Sequence, residues 1–381
     1  MRIAIDYTAA ARQGGGIGRY ARELIRTILA SSSQHDFVLM TATAGLGSRW
    51  KSERDLLREI AAAPHRLSLR SLPITDDWMA RLWQRLRLPI PADIITGKVD
   101  CFYSPDFVLP PLRKATPALL TVHDLSFLHY PDTFTRPLRH YLEQAVPRSV
   151  RRADHVLADS DATRQDLIEL LNVPAEKVTT LYAGVSPDFT PKEIPGERHR
   201  LPHRYEVGNR PFILAVGTVQ PRKNYIRLME ACDPLADERN IDLAIVGRPA
   251  WLSGPTLEAA SHRPYVHLLG FTDEGDLPAL YRQAALLAFP SLYEGFGLPP
   301  LEAMASGTPV VASNASSIPE VVGEAGLLVD PTDVPAWTET LRRALDDEAL
   351  RAQLRARGLE RASQFTWERT AQGWWEVVKK G

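Results

Sequence analysis

The chain has 381 residues, with 45 Lys and Arg against 46 Asp and Glu and a formal net charge of −1 at pH 7. This balance supplies no global field for nucleic acid, and the length suits two domains of about 100–200 residues each. The two cysteines, Cys101 and Cys232, stand far apart with no CxxC and no Cys/His cluster, which argues against a disulfide framework and a structural zinc site and for a reducing compartment.

The chain opens on Met1-Arg2-Ile3-Ala4-Ile5-Asp6, a short strand pattern without a long apolar h-region, so no signal peptide is expected. No apolar run approaches the ~20 residues that span a bilayer. Short β-branched runs then alternate with longer helical stretches, the mark of parallel α/β sheets. The first series predicts strands at Ile3–Tyr7, Phe37–Thr41, Asp100–Ser104, Ala118–His123 and His155–Asp159, and helices at Tyr20–Leu29 and Ala162–Leu171. Pro187 to Asn209 is proline-rich and poor in apolar residues, and reads as a linker. A second series follows at Phe212–Val216, Leu243–Val246, Val266–Leu269, Leu286–Phe289, Pro309–Ala312 and Gly326–Val329. The expected division is 1–188, a linker over 189–208, a second domain over 209–362, and a C-terminal helix over 363–381. That helix carries Trp367, Trp374 and Trp375 and should return to the first domain, since aromatics of that size at a chain end usually dock.

Three strand-to-helix turns carry chemistry. Pro290 to Glu302 follows a buried-looking strand and places Glu294 in a loop and Glu302 in or near the first helical turn, where Pro299 and Pro300 are tolerated. The N–H groups of Phe296, Gly297 and Leu298 would face the same space, ready for oxyanions or sugar hydroxyls. The bland alternative is a glutamate that merely complements the helix dipole. Gly217 to Asn224 brings Arg222 and Lys223 to a strand end, a planar fork beside a point charge, suited to a diphosphate. A solvated basic pair is the competing reading. Gln13 to Tyr20 holds Gly14, Gly15, Gly16 and Gly18, but it starts too far after the strand for a dinucleotide fingerprint. The next strand also lacks the acidic residue that a ribose would need.

Taken together, the glutamate pair, the Arg222-Lys223-Asn224 turn, the Gly-Gly-Ile-Gly loop and the run Glu302 to Ala312 resemble glycosyltransferase family 4, the group 1 glycosyltransferases. The likeness spans nearly the whole chain. It implies the GT-B fold, two Rossmann-like doubly wound domains facing a cleft, and transfer of a hexose from a nucleotide diphosphate sugar with retention of configuration. It further implies that Arg222 and Lys223 hold the diphosphate, Glu302 the ribose, and Glu294 with the Phe296–Leu298 backbone the transferred sugar. Gly15, Gly16 and Gly217 would lie at the donor phosphate or sugar, Phe271 and Thr272 at the base, and His123 near the anomeric carbon. A lone structural histidine is the alternative for His123. Gly16–Tyr20, Val122–Leu125 and Ala183–Phe189 look closest to bacterial mannosyltransferases, so GDP-mannose is the favoured donor, with a UDP-sugar donor or a non-catalytic nucleotide-sugar-binding protein as alternatives. Ala183 stands where many relatives carry Asn.

The same resemblance implies no cofactor and no metal. Asp159-Ser160-Asp161 has the Asp-x-Asp form used for manganese elsewhere, but at a strand end Ser160 or Asp161 more naturally caps the next helix. A hydrolase reading of the two glutamates leaves the basic turn unexplained. The expected acceptor is a glycan or lipid-linked hydroxyl in cell-envelope polysaccharide assembly, at the cytoplasmic side, with no nucleic acid partner. Trp78 to Leu88 reads either as a basic amphipathic helix touching an anionic membrane at its inner face or as a helix packed on the sheet with solvated arginines.

Overall fold

The computed structural model describes residues 1–205, 207, 209–272 and 275–380. Parts of two expected segments, Glu206 and Gly208 of the linker and Gly381 of the last helix, lie outside the described residues, as do Asp273 and Glu274. The chain divides into two compact units. Unit 1 comprises Met1–Leu125, His140–Gly184 and Trp367–Gly381; unit 2 comprises Ser126–Arg139 and Val185–Thr366.

Unit 1 is built on seven parallel strands: β1 (Arg2–Asp6), β2 (Asp36–Ala42), β3 (Leu67–Leu72), β4 (Cys101–Ser104), β5 (Ala118–Val122), β6 (His155–Ala158) and β7 (Val178–Thr180). Their order is β3-β2-β1-β4-β5-β6-β7. Unit 2 has six: β8 (Phe212–Val216), β9 (Asp242–Val246), β10 (Val266–Gly270), β11 (Leu286–Phe289), β12 (Val310–Ser313) and β13 (Leu327–Val329), ordered β10-β9-β8-β11-β12-β13. Central strands read as unbroken apolar runs because helices cover both faces of a parallel sheet. In unit 2, Ile213, Leu243, Ile245 and Leu286 are fully buried and meet Leu341 from the helix Val334–Asp346. Both sheets are doubly wound, and each reverses strand order at one place: between β1 and β4, and between β8 and β11. Ligands of such sheets bind outside the carboxyl ends at these switch points.

Three stretches differ from expectation. Ser126–Arg139, assigned to the first domain on chain order, belongs to unit 2. Its aromatic residues explain this: His129 stacks on Tyr293 at 4.9 Å, Phe134 stacks on Trp251, and the Trp251 indole N–H donates to the Thr133 carbonyl at 2.8 Å. The expected linker contains a helix, Glu197–Tyr205. Its buried Glu197 receives a two-pronged bond from Arg282 at 2.7 and 2.9 Å, and Arg204 and Tyr205 both donate to Asp276. Finally, the Trp78–Leu88 stretch is not one regular helix. It is Asp76–Ala80 followed by a π-turn at Arg81–Arg85, closed by the Leu86 N–H on the Arg81 carbonyl at 2.8 Å. The wide turn buries the adjacent pair Trp83 and Gln84, while Trp78 and Leu86 stay exposed. The last helix, Trp367–Lys380, lies in unit 1, where Trp374 is buried 5.4 Å from the Tyr103 ring.

Candidate active site

In unit 2 the chain leaves β8 through Gly217, whose φ of 149° and close neighbours exclude a side chain: a Cβ there would stand 3.0 Å from both Lys223 Cε and Tyr225 Oη. A 3-10 turn, Pro221–Lys223, then aims both cations back over the sheet, and Asn224 follows with φ 61°. The Asn224 amide donates to the carbonyls of Pro290 (3.0 Å) and Pro331 (2.7 Å), while the Leu292 N–H donates to the Arg222 carbonyl (2.9 Å). These bonds bolt the turn after β8 to the loop after β11, across the switch point, and to the loop after β13.

The result is a charge cluster. Lys223 Nζ lies 2.6 Å and Arg222 Nη1 3.2 Å from the same oxygen, Glu294 Oε1, and the three side chains are 10–12% exposed. Arg222 also donates to the Tyr293 carbonyl. Burial alone would raise the Glu294 carboxyl; the charges of Arg222 and Lys223 overcome it and hold the group at about 2. The loop beyond is equally fixed. Ser317 Oγ donates to the carbonyls of Glu294 (2.9 Å) and Phe296 (2.7 Å), and the Glu294 N–H donates to Ser316 Oγ (2.8 Å). Gly297, with φ 119°, opens the helix Leu298–Ala305; a Cβ there would meet Ile318 at 2.9 Å. Phe296 is buried against Phe365. Glu302 sits one turn deeper than the first helical turn and is 2% exposed, with the Tyr281 hydroxyl donating to its Oε2 at 2.9 Å. At the end of β10, Phe271 is half-exposed under the Arg248 guanidinium, 4.4 Å from the ring, and Thr272 is buried.

Unit 1 has its own strand-end cluster. Val122 of β5 pairs with Ala158 of β6, so the next residues, His123 and Asp159, emerge side by side. His123 Nδ1 lies 2.6 Å from Asp159 Oδ2, and Nε2 lies 2.9 Å from the carbonyl oxygen of Pro105, just after β4. The His123 ring is buried, edge-on to Tyr20 at 5.1 Å and to Phe107 at 5.3 Å. Burial alone would push the ring toward the neutral form. The Asp159 carboxylate and its hydrogen bond, with Asp106 and the Pro105 carbonyl, more than offset that and lift it to about 9. Asp106 is held in turn by the Gln13 amide at 3.1 Å. Gly15 and Gly16 are exposed where the helix Gly16–Ser31 begins, and no atom stands within 4 Å of a Cβ built on Gly15. Gly18 is different: a Cβ there would fall 2.1 Å from the Gln13 carbonyl oxygen.

Residues 14–189 match the model for Glycosyltransferase Family 4, and residues 201–361 that for Glycosyl transferases group 1. Over 359 residues the chain is 32% identical to the O-antigen chain mannosyltransferase B of Escherichia coli, covering 93% of each protein. The chain belongs to the family 4, group 1 glycosyltransferases. The serotype-specific mannosyltransferase WbdA of Escherichia coli is 35% identical over 228 residues, which are 58% of this glycosyltransferase and 28% of WbdA. HepE of Anabaena, whose structure was solved with UDP and glucose, shares the GT-B fold at a TM-score of 0.75 and 20% identity, with both chains covered in full.

The structure of this glycosyltransferase brings Arg222, Lys223 and Glu294 into contact and sets Gly217, Phe296, Gly297 and Leu298 in the turns around them. Glu302 is held apart from that contact, on Tyr281. His123, Gly15 and Gly16 belong to unit 1. Sequence reasoning missed Tyr281, Ser316, Ser317 and the partnership of Asp159 with His123. The last had a signal: strands expected to end at His123 and at Asp159 are neighbours in a doubly wound sheet. In Asp159-Ser160-Asp161 the helix cap is Ser160, whose Oγ accepts the Thr163 N–H at 3.1 Å and opens the helix Asp161–Leu171.

Proposed function

We propose that this glycosyltransferase moves mannose from GDP-mannose to a hydroxyl of a glycan or lipid-linked acceptor in cell-surface polysaccharide assembly, with retention of configuration and without a metal ion. One observation carries the reading: two cations and one carboxylate converge, almost out of solvent, at the switch point of the unit 2 sheet. A fork and a point charge fixed side by side match a diphosphate. They would stabilise the charge that develops on it as it leaves, which is the work a metal ion would otherwise do.

Arg222 and Lys223 bind the diphosphate in this reading. Glu294 and the Phe296–Leu298 backbone bind the transferred sugar, Glu302 the ribose, and Phe271 with Thr272 the base. Gly217 lets the first turn approach the phosphates; His123, Gly15 and Gly16 keep the roles that the resemblance gives them. The acceptor hydroxyl attacks C1 on the face the diphosphate leaves. Its proton passes to a diphosphate oxygen as the old C1–O bond breaks and the new one forms. Positioning, not a protein nucleophile, supplies the rate. The choice of mannose rests on the likeness to the O-antigen enzyme.

The test is a thermal-shift and hydrolysis screen of the purified protein with GDP-mannose, GDP, UDP-glucose, UDP-N-acetylglucosamine and UDP, with and without EDTA. Stabilisation by the guanosine compounds, unchanged by EDTA and lost in Arg222→Ala, is expected. A response confined to uridine compounds would replace the donor, and no response to any would overturn the donor site.

Among the described residues no helix is long and apolar enough to cross a membrane. We assign the protein to the cytoplasmic side, touching anionic lipid through exposed Trp78, Leu86, Ile90 and Ile94 beside Arg81, Arg85 and Arg87. Sedimentation with anionic liposomes at low salt, weakened by Trp78→Ala, is the expected result; absence of binding removes the membrane from the proposal.

A further inference from the structure

We propose that Asp159 is a positioning residue of the transfer reaction: with the Pro105 carbonyl it fixes His123 as a buried imidazolium whose two ring nitrogens are both committed as donors. The proposal rests on the reading of His123 as a site residue, and goes beyond it in assigning the ring's charge and the group that maintains it.

Pro105, His123 and Asp159 each directly follow one of three adjacent parallel strands, β4, β5 and β6. The register that sets Val122 beside Ala158 brings the carboxylate level with the imidazole on the β5 side, while the chain after β7 sets the apolar Leu181 on the other. A neutral imidazole has one donor and one acceptor nitrogen. Here a carbonyl oxygen, which can only accept, lies 2.9 Å from Nε2, and a carboxylate oxygen lies 2.6 Å from Nδ1. With Asp159 ionised, as the charge and hydrogen bond of His123 favour against the opposing effect of burial, two acceptors face two nitrogens and the ring carries two protons.

The surroundings favour the cation. Asp106 on the loop after β4 and Asp124 beside His123 in the chain are the other carboxylates near the pair. Tyr20, from the helix Gly16–Ser31, and Tyr103, from β4, are the remaining titratable groups, and burial keeps both phenols protonated. No Lys or Arg acts on the ring among the influences resolved for it. Asp159 Oδ1 has no hydrogen-bond partner among the described residues and is buried, so its charge is offset chiefly by the ring. The backbone is also held: Thr163 Oγ1 donates to the His123 carbonyl at 3.1 Å.

The consequence for the reaction is specific. A ring with both nitrogens already donating cannot take the proton of the acceptor hydroxyl, so His123 is a fixed cation and not the general base. This agrees with a mechanism in which the leaving diphosphate takes that proton.

The experiment is a pair of titrations on the full chain. The first follows the ¹⁵N shifts of the His123 ring by NMR, assigned with His123→Gln, without any substrate. The wild-type ring is expected to stay doubly protonated through pH 8; a neutral ring at pH 7 overturns the proposal. The second measures transfer by Asp159→Asn from pH 6 to pH 8. Without the carboxylate the ring should lose its proton in this range, so the loss of kcat at pH 8 should exceed the loss at pH 6 by about tenfold or more. KM for the donor should change little, and Asp159→Glu should restore the wild-type profile. A loss equal at every pH would mark Asp159 as merely structural and overturn its role. If Asp159→Asn does not fold, the wild-type ring titration still decides the charge. Full activity in His123→Gln with a protonated wild-type ring would instead remove His123 from the site while leaving its charge assignment standing.

Discussion

The two units share a strand order and differ in what stands at the carboxyl ends. At the switch point of unit 2, Arg222 and Lys223 outnumber Glu294. In unit 1 the corresponding ends carry Asp6 on β1, Asp106 after β4 and Asp159 after β6, with His123 between the last two. Burial lifts the Asp6 carboxyl to about 6 and raises Asp106 and Asp159 as well. In the proposed reading the first end suits phosphate oxygens, and the other, which offers acceptors, suits hydroxyl groups. The sheet therefore fixes where a ligand sits, and the few residues that follow each strand fix its charge.

Removing the unit 2 charges should have the largest effect. Lys223→Ala and Glu294→Ala should each lower transfer by at least about a hundredfold. Each also leaves a buried partner without its full counter-charge, at a cost of about 3–5 kcal/mol when a pair is broken from one side. The double variant Lys223→Met with Glu294→Gln should recover much of that stability in urea titration but none of the activity. Recovered activity would mean that the cluster is structural and the donor lies elsewhere.

The units should also part company on pH. Glu294 has its folded pKa depressed from 4.5 to about 2, so its contribution is present above 4.5 and lost as pH falls toward 2. His123 has its folded pKa raised from 6.5 to about 9, so its contribution is present below 6.5 and lost as pH rises through 9. Each shift corresponds to about 3 kcal/mol at most. Denaturant midpoints measured across pH should fall on both sides; Glu294→Gln should flatten the acid side alone and Asp159→Asn the alkaline side alone.

Much of this was legible in the residues. Central strands such as Phe212–Val216 and Leu286–Phe289 read correctly because burial on both faces leaves an apolar run with nothing ambiguous in it. β3 and β7 were not foreseen: Leu67–Leu72 and Val178–Thr180 are edge strands, partly exposed and polar, and their place depends on a neighbour already in position. The Arg222–Lys223 turn and Glu294 were legible as motifs, but their shared oxygen was not, since it depends on the pairing of β8 with β11. The attachment of Ser126–Arg139 to unit 2 was invisible because stacking of His129 on Tyr293 joins residues 164 positions apart. Chain order carries no trace of such a contact.

The smallest effect expected is also the most selective. Gly15 caps the helix Gly16–Ser31 and Gly18 lies in its first turn, yet a Cβ on Gly18 would overlap the Gln13 carbonyl at 2.1 Å, while one on Gly15 meets nothing. Gly15 also has φ −86°, which any residue adopts. Gly18→Ala should therefore destabilise the protein by about 2 kcal/mol or more. Gly15→Ala should change stability by less than about 0.5 kcal/mol. If the exposed glycine loop meets a substrate, Gly15→Ala will raise KM for the donor while leaving the denaturant midpoint unmoved. An unchanged KM would restrict the loop to its work in unit 1, where the requirement for glycine lies at Gly18 and is steric alone.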